Sequence, residues 1–347
     1  MLKNRLTTEP QATMSVRFSA VILLAAAVVL TACNTTEKEK QENASNKYEL
    51  VNNWPQLPVG YVLGNPTGIG IDSDQHIFVF SRGDRKWTEP FPESLISSNT
   101  ILELDRNTGK IMNSWGANVF IMPHGLTVDK QNNVWVTDVG LHQVFKFTHD
   151  GKLLMKWGTG RIAGTDSTHF NLPTDVAVAE DGSFYVSDGY GNSRVVKFSA
   201  TGNYLFSWGT MGNKPGEFNL PHAIDLDEKG NVYVADRENS RIQEFDANGK
   251  FINQWNNPNY GKMYSLAVNK KDNALIGVDY VVDDTVPKGS DILFFEKSNV
   301  QATAIGRSGS YTGPVCRYHD VAIDDEGNLY VGDILGNSIQ KFRPVKK

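Results

Sequence analysis

The sequence predicts an all-β fold, a six-bladed β-propeller of four-stranded blades. Three observations predict it: a short apolar strand motif recurs six times, a near-identical hairpin follows most copies, and tryptophan ends most of the units. Self-similarity at a period of about 50 residues is the trace that propeller blades leave in a chain. The composition agrees, since 40% of the 347 residues are hydrophobic and 21% charged, with 31 glycines available for turns. The net charge of −5 and the lack of a Lys/Arg cluster argue against a nucleic-acid partner.

Residues 1–33 read as an address rather than as fold. Arg17 precedes the apolar run AVILLAAAVVL (20–30), which has signal-peptide length and is short for a bilayer span. LTAC (30–33) follows at once and resembles the lipobox of bacterial lipoproteins, whose cleavage leaves Cys33 at the new N-terminus carrying lipid. Met14 is an alternative start, because residues 1–13 add nothing to the signal. The expectation is a lipid-anchored protein of the cell envelope, on its periplasmic or extracellular face. Residues 34–46, polar and without aromatics, form a flexible tether. Cys316 is the one cysteine left, so the domain of residues 47–347 is expected to hold no internal disulfide.

The blades follow in order. Their first strands align as NPTGIGIDSD (65), MPHGLTVDKQ (122), LPTDVAVAED (172), LPHAIDLDEK (220), KMYSLAVNKK (262) and RYHDVAIDDE (317), numbered by first residue. Second strands are the close relatives NVWVTD, SFYVSD, NVYVAD and NLYVGD, with HIFVFS and ALIGVD looser, after Gly/Asn/Asp turns that suit a tight reversal. Third strands read HQVFKF, SRVVKF, SRIQEF and SIQKF; fourth strands close on Trp115, Trp157, Trp208, Trp255 and, more weakly, Ile305. The last repeat ends without a fourth strand. YELVNNW, ending at Trp54, has the missing pattern and is expected to complete the sixth blade from the other end of the chain, removing an open sheet edge.

The third place of the motif is His124, His222 and His319 in the second, fourth and sixth copies, and Thr67, Thr174 and Tyr264 in the others. Innermost strands line a propeller's channel, so residues on alternate blades should converge with near-threefold symmetry. Three imidazoles there make a metal site with an open fourth position, favouring Zn²⁺ while leaving other first-row ions open. His76, His142, His149 and His169 fall outside this register and read as structural. Arg82, Tyr190 and Arg237, in RGDRKW, SDGYGNSR and ADRENSR, follow second strands and should crowd one face of the ring. RGD at a strand end is a poor adhesion tag, GTGRIAG (158–164) opens no helix, and DEKGN and DDEGN are turns.

FSRGDRKW, MPHGLTVD, VWVTDVGLHQVFKF, HFNLPTDVAV, YVSDGYGNSRVVKFS, LPHAIDL and VADRENSRIQ, in this order, resemble the peptidyl-α-hydroxyglycine α-amidating lyase domain of peptidylglycine α-amidating enzymes over residues 48–347. The resemblance implies a propeller of NHL repeats that splits a peptidyl α-hydroxyglycine into a peptide amide and glyoxylate, with a peptide or small molecule as its partner, working as a monomer. It implies His124, His222 and His319 as zinc ligands, Tyr190 as catalytic base, and Arg82 and Arg237 as groups that bind substrate and tune Tyr190. It also implies a structural Ca²⁺ held by the carbonyls of Ile69 and Leu126 and the carboxylate of Asp320. The chain departs from the pattern at Arg317-Tyr318-His319, where the family has Met-Pro-His. Positions 317 and 319 share a face in a regular strand, so Arg317 is expected to add positive charge beside the metal and to favour a smaller or more anionic substrate. Two other classes fit a propeller: a binding module of the cell envelope docking through the VDYVVDDTVPKGSD segment, and a calcium-dependent lactonase, whose axial ligands would be carboxylates and amides instead of imidazoles.

Overall fold

The computed structural model describes residues 47–296, 299–307 and 313–345. Cys33, the signal segment and the tether lie outside the described residues. The rest is a ring of six antiparallel sheets, each running from an inner strand to an outer one. The inner strands are Pro66–Ile71, Pro123–Val128, Asp175–Val178, Pro221–Leu226, Lys262–Val268 and Tyr318–Ile323, in blades one to six. Their second-strand partners Ile77–Ser81, Val134–Asp138, Phe184–Asp188, Val232–Asp236 and Leu329–Asp333 are buried at every residue, because each blade is covered by a neighbour on both sides. That explains their continuous β-branched and aromatic runs, where a sheet with one wet face would alternate. Blade five differs: its second strand, Leu275–Asp283, overshoots the sheet and pairs with Val286–Gly289 in an extra hairpin.

Ring closure follows the expected clasp. Tyr48–Leu50 pairs antiparallel with Ser338–Pro344, placing Tyr48 opposite Pro344 and Leu50 opposite Phe342. The strand stops at Leu50, short of the predicted end, yet Trp54 still does the work of a fourth-strand tryptophan from the loop beyond. In blades one to three that tryptophan lies over a turn glycine of the next blade: Trp115 on Gly151, Trp157 on Gly202, Trp208 on Gly249. Gly151 has φ +90°, and a Cβ there would stand 2.6 Å from the Trp115 ring, so both conformation and space require glycine. Trp54 repeats this contact on Gly109 of blade one and donates from Nε1 to the Arg106 carbonyl (3.1 Å). Trp54→Ala is expected to cost about 3–5 kcal/mol, the usual range for an emptied buried tryptophan site. Urea denaturation checks this; a loss under about 1 kcal/mol would show that the ring closes without it.

The second strands of blades two, three, four and six end in aspartate and that of blade five carries one at the same place, Asp279; each carboxylate holds the loop that leads into its blade's inner strand. Asp138 accepts from the amides of Ile121 (2.8 Å) and Met122 (2.9 Å), Asp188 from Asn171 (2.8 Å), and Asp236 from Asn219 (2.7 Å). Asp279 accepts from Gly261 (2.7 Å) and Asp333 from Arg317 (2.8 Å). These amides lie two or three residues before the third motif position, so the anchors fix where the channel-lining side chains begin.

Candidate active site and metal centre

His124, His222 and His319 meet on the axis. Their ring centroids are 4.7, 4.7 and 4.9 Å apart, and all three are buried. What aims them is the intervening blade. His124 Nδ1 donates to the Thr174 carbonyl (2.6 Å), His222 Nδ1 to that of Tyr264 (2.6 Å), and His319 Nδ1 to that of Thr67 (2.9 Å). The motif's third place therefore alternates between a residue whose ring points inward and one whose carbonyl steadies that ring. A carbonyl can only accept, so each Nδ1 carries the proton and each Nε2 keeps its lone pair for the axis.

Burial holds all three imidazoles well below the usual histidine pKa, helped at His124 by Arg82, at His222 by His124 and Arg237, and at His319 by His124 and Arg82. They are neutral near pH 7, as ligation requires. One nitrogen from each histidine lies within 4.8 Å of the others, so these residues can hold a metal ion. Three oriented, neutral nitrogens suit zinc with an open position, and the axial imidazoles do not suit the carboxylate-centred lactonase reading.

Tyr190 stands over two of the three. Its hydroxyl is 3.1 Å from Nε2 of both His124 and His222, and Arg237 Nη1 donates to it (3.3 Å). Burial pushes the phenol above its ordinary pKa, while the Arg237 and Arg82 guanidiniums pull it down. Arg237 is braced by Glu238, 3.0 Å from Nε and 2.9 Å from Nη2. Arg82 is buried and donates from Nε to the Pro123 carbonyl (3.0 Å), and its Nη2 is buried with no hydrogen-bond partner among the described residues. Burial lowers the Arg82 pKa to about 10, which leaves it charged at neutral pH. The expected crowding of Arg82, Tyr190 and Arg237 at one end of the channel is what the geometry gives.

Arg317 lies near the site by a different route from the one its sequence position suggested. It precedes the inner strand of blade six, which starts at Tyr318, and the ladder shifts register between Tyr318 and Asp320. Strand parity with His319 therefore does not apply, since a bulge breaks the two-residue period. Instead its guanidinium stacks over Tyr264 (5.2 Å) and Tyr280 (4.9 Å) and donates to the Tyr264 hydroxyl. From there its charge still reaches His319 and Arg82, lowering the pKa of both.

Some groups at the site escaped sequence reasoning. Tyr264 supplies the carbonyl behind His222, lies 5.1 Å from its ring, and takes the Arg237 guanidinium over its own face at 5.1 Å. Its place among the six third positions was visible, although its role needed the neighbouring blade. Trp87 packs on Tyr190 (5.1 Å) and under Arg82 (5.2 Å), from a loop with no repeat to mark it.

Further along the axis, Ile69, Leu126 and Asp320 line one cavity of about 410 Å³ together with Asp175 and Asp225. Asp320 accepts from the Ile69 amide (2.6 Å) and the Ser265 hydroxyl (2.5 Å). Burial, with Asp225 nearby, raises Asp320 to about 7, and burial and Asp320 raise Asp175 well above the carboxylate range. Asp175, Asp225 and Asp320, half-buried around one cavity, bring together the carboxylate oxygens that a hard cation takes as donors.

The chain matches the family model of the NHL repeat at residues 120–147, 170–198 and 218–245. Peptidyl-glycine alpha-amidating monooxygenase B of Xenopus laevis is 37% identical over 339 residues, which cover 91% of this chain and 38% of the relative. The chain thus spans well under half the length of that curated relative. A probable peptidyl-alpha-hydroxyglycine alpha-amidating lyase of Caenorhabditis elegans is 34% identical over 302 residues, covering 81% of this chain and 83% of the relative. Among solved structures, virginiamycin B lyase of Staphylococcus aureus superposes with a TM-score of 0.56 at 16% identity, over 86% of this chain and 87% of that one, a likeness of fold alone.

Proposed function

The chain belongs to the peptidyl-α-hydroxyglycine α-amidating lyase family and is an enzyme of that kind, and from this premise we propose that it is a zinc-dependent lyase cleaving the C–N bond of a peptidyl or small acyl α-hydroxyglycine to an amide and glyoxylate. The observation that carries the proposal is the phenol of Tyr190, set 3.1 Å from two converging imidazole nitrogens and 3.3 Å from a guanidinium.

The reaction removes the hydroxyl proton of the substrate. The C–O bond becomes the aldehyde of glyoxylate, the C–N electron pair leaves with nitrogen, and nitrogen takes up a proton. Tyr190 is the base, its phenolate favoured by Arg237 and Arg82 against the effect of burial. The same phenol, once protonated, can return the proton to the departing amide. Arg82 has a free buried Nη2 for the substrate carboxylate, a charge-assisted contact that orients the substrate. Zinc held by Nε2 of His124, His222 and His319 would supply Lewis acidity, stabilising the phenolate and polarising the substrate hydroxyl. Calcium at Asp320, with the Ile69 and Leu126 carbonyls, would neutralise carboxylate charge one step along the inner strands from the histidines. Lipid on Cys33 would hold the enzyme at the cell envelope.

The purified protein incubated with α-hydroxyhippurate should release benzamide and glyoxylate in equal amounts and lose that activity to a chelator, regaining it with Zn²⁺. Glyoxylate release that a chelator leaves intact would remove the zinc-dependent mechanism, and no release would remove the reaction. The stacked Arg317 gives a second expectation. Arg317→Met should shift kcat/KM toward peptidyl over small acyl hydroxyglycines by about tenfold, the worth of one half-buried charge-assisted contact of about 1.4 kcal/mol. An unchanged preference would exclude Arg317 from specificity.

A further inference from the structure

A second cluster of ligand-type side chains lies away from the central histidines. Asp72 and His76 sit on the first hairpin turn of blade one, Glu103 on its third strand (Ile101–Leu104), and His149 on the turn before the fourth strand of blade two. His76 Nδ1 is 3.1 Å from Asp72 Oδ2 and 3.3 Å from Glu103 Oε1; His149 Nε2 is 2.9 and 3.9 Å from the same two atoms. One ligand atom from each of the four lies within 4.8 Å of the rest. Tetrahedral zinc, with bonds of about 2.0–2.1 Å, keeps its ligand atoms about 3.3 Å apart, and the four separations scatter around that edge. The Asp72 and Glu103 side chains are 0% and 7% exposed, while the two imidazoles are 24% and 36% exposed and leave an entry path.

The other blades provide internal controls. Blade two has the corresponding Asp129, and its carboxylate takes donors from Asn133 (2.9 Å) and Trp135 (2.8 Å) and the Lys146 ammonium at 3.4 Å. In blade six Asp324 takes Asn328 (2.7 Å) and the Tyr330 hydroxyl (3.0 Å), with Lys341 opposite Tyr330. Blade four has a second acid, Glu244, but keeps the neutral donors, Asn231 and the Tyr233 hydroxyl at 3.3 and 3.0 Å. Blade one changes every one of these places. Asparagine becomes His76, the donor aromatic becomes Phe78, and the lysine becomes Glu103, opposite Phe78 in the ladder. His149 arrives where the equivalent turns carry Arg106, Ala200 and Ala247. Neutral donors and a cation have been exchanged for one carboxylate and two imidazoles beside the retained aspartate, Asp72, a set that a divalent ion neutralises and joins.

We propose that Asp72, His76, Glu103 and His149 form a second site for a divalent transition ion of the zinc class, closed by four protein ligands and fastening blade one to blade two. Two nitrogens among four donors favour such an ion over calcium or magnesium. Because its ligands are remote from Tyr190, the role is structural, and the proposal stands apart from the lyase reading.

Co²⁺ is the probe, in equilibrium dialysis of the metal-stripped, full-length protein with excess Ca²⁺ to occupy oxygen-only sites. His124→Ala, which weakens the central site, should retain one tightly bound equivalent and gain on the order of 5 °C in Tm at a Co²⁺ concentration a hundredfold above its Kd. Adding His76→Ala and His149→Ala should abolish both effects. In the otherwise unaltered chain, H76N/F78Y/E103K installs the arrangement of blade six; it should fold, keep its turnover of α-hydroxyhippurate, and bind one equivalent fewer than its parent. Equal stoichiometry in that triple variant and its parent, or no bound Co²⁺ in His124→Ala, would overturn the proposal in favour of ion pairs between protonated imidazoles and the carboxylates. A central site that binds nothing would lower the parent to one equivalent and leave this second site standing, so the two readings fail separately.

Discussion

Tyr190→Phe is expected to lower kcat on α-hydroxyhippurate by about 10²–10⁴-fold, the range that a positioned general base contributes, while leaving metal content and fold intact. The substitution deletes one oxygen. That oxygen is 3.1 Å from Nε2 of His124 and His222 and accepts from Arg237, so base, metal ligands and activating charge all meet at it. The ring remains to pack on Trp87, which keeps the wall of the site in place. The imidazoles are held from behind by carbonyls that the substitution does not touch, so ligation should persist. KM should change little, because the proposed carboxylate contact belongs to Arg82. Steady-state kinetics alongside metal analysis decides the matter. Activity within tenfold of the parent would give the base to another group, and loss of metal with activity would make Tyr190 a ligand.

His222→Ala should have an effect of similar size. It removes one of three nitrogens, and the two that remain give an ordinary chelate instead of a three-sided cage. The expected result is near-complete loss of central metal and a fall in turnover on the order of 10³-fold, corresponding to about 4 kcal/mol of Lewis-acid stabilisation. Near-parental turnover with the metal gone would separate the ion from the chemistry. The close packing of buried Tyr264 and half-buried Arg237 makes local disturbance a competing cause, and His222→Gln, which keeps a polar group under the phenol, distinguishes them. It should remain folded by circular dichroism and still lack turnover.

Much of this architecture could be read before any coordinates. The blade count followed from the repeat, and His124, His222 and His319 converge because equivalent places on alternate blades must face a common axis. YELVNNW offers Trp54 as the missing outer tryptophan, and it occupies that position over Gly109 even though its strand ends at Leu50. The parts that could not be read depend on contacts between blades. The carbonyls of Thr67, Thr174 and Tyr264 fix the histidine tautomers, and no side-chain alphabet records a carbonyl. Strand parity puts Arg317 on the face of His319, and a bulge between Tyr318 and Asp320 breaks that parity. The sequence marks His76 and His149 as structural residues, and only the structure reveals that both reach the same carboxylate, Asp72. Their signal was present in the aligned copies, where one blade replaces asparagine by histidine and lysine by glutamate, and it required reading the repeats against one another. The recurring aspartates from Asp138 to Asp333 were likewise visible as strand ends, and only the structure reveals them as anchors for the loops.

The most direct measurement is an anomalous difference map at the zinc edge from a crystal of the protein. The account predicts a peak on the propeller axis about 2.0–2.1 Å from Nε2 of His124, His222 and His319, with its remaining position toward the Tyr190 hydroxyl. A map with no peak there from zinc-replete protein, or with the three nitrogens too far apart to share an ion, would contradict it.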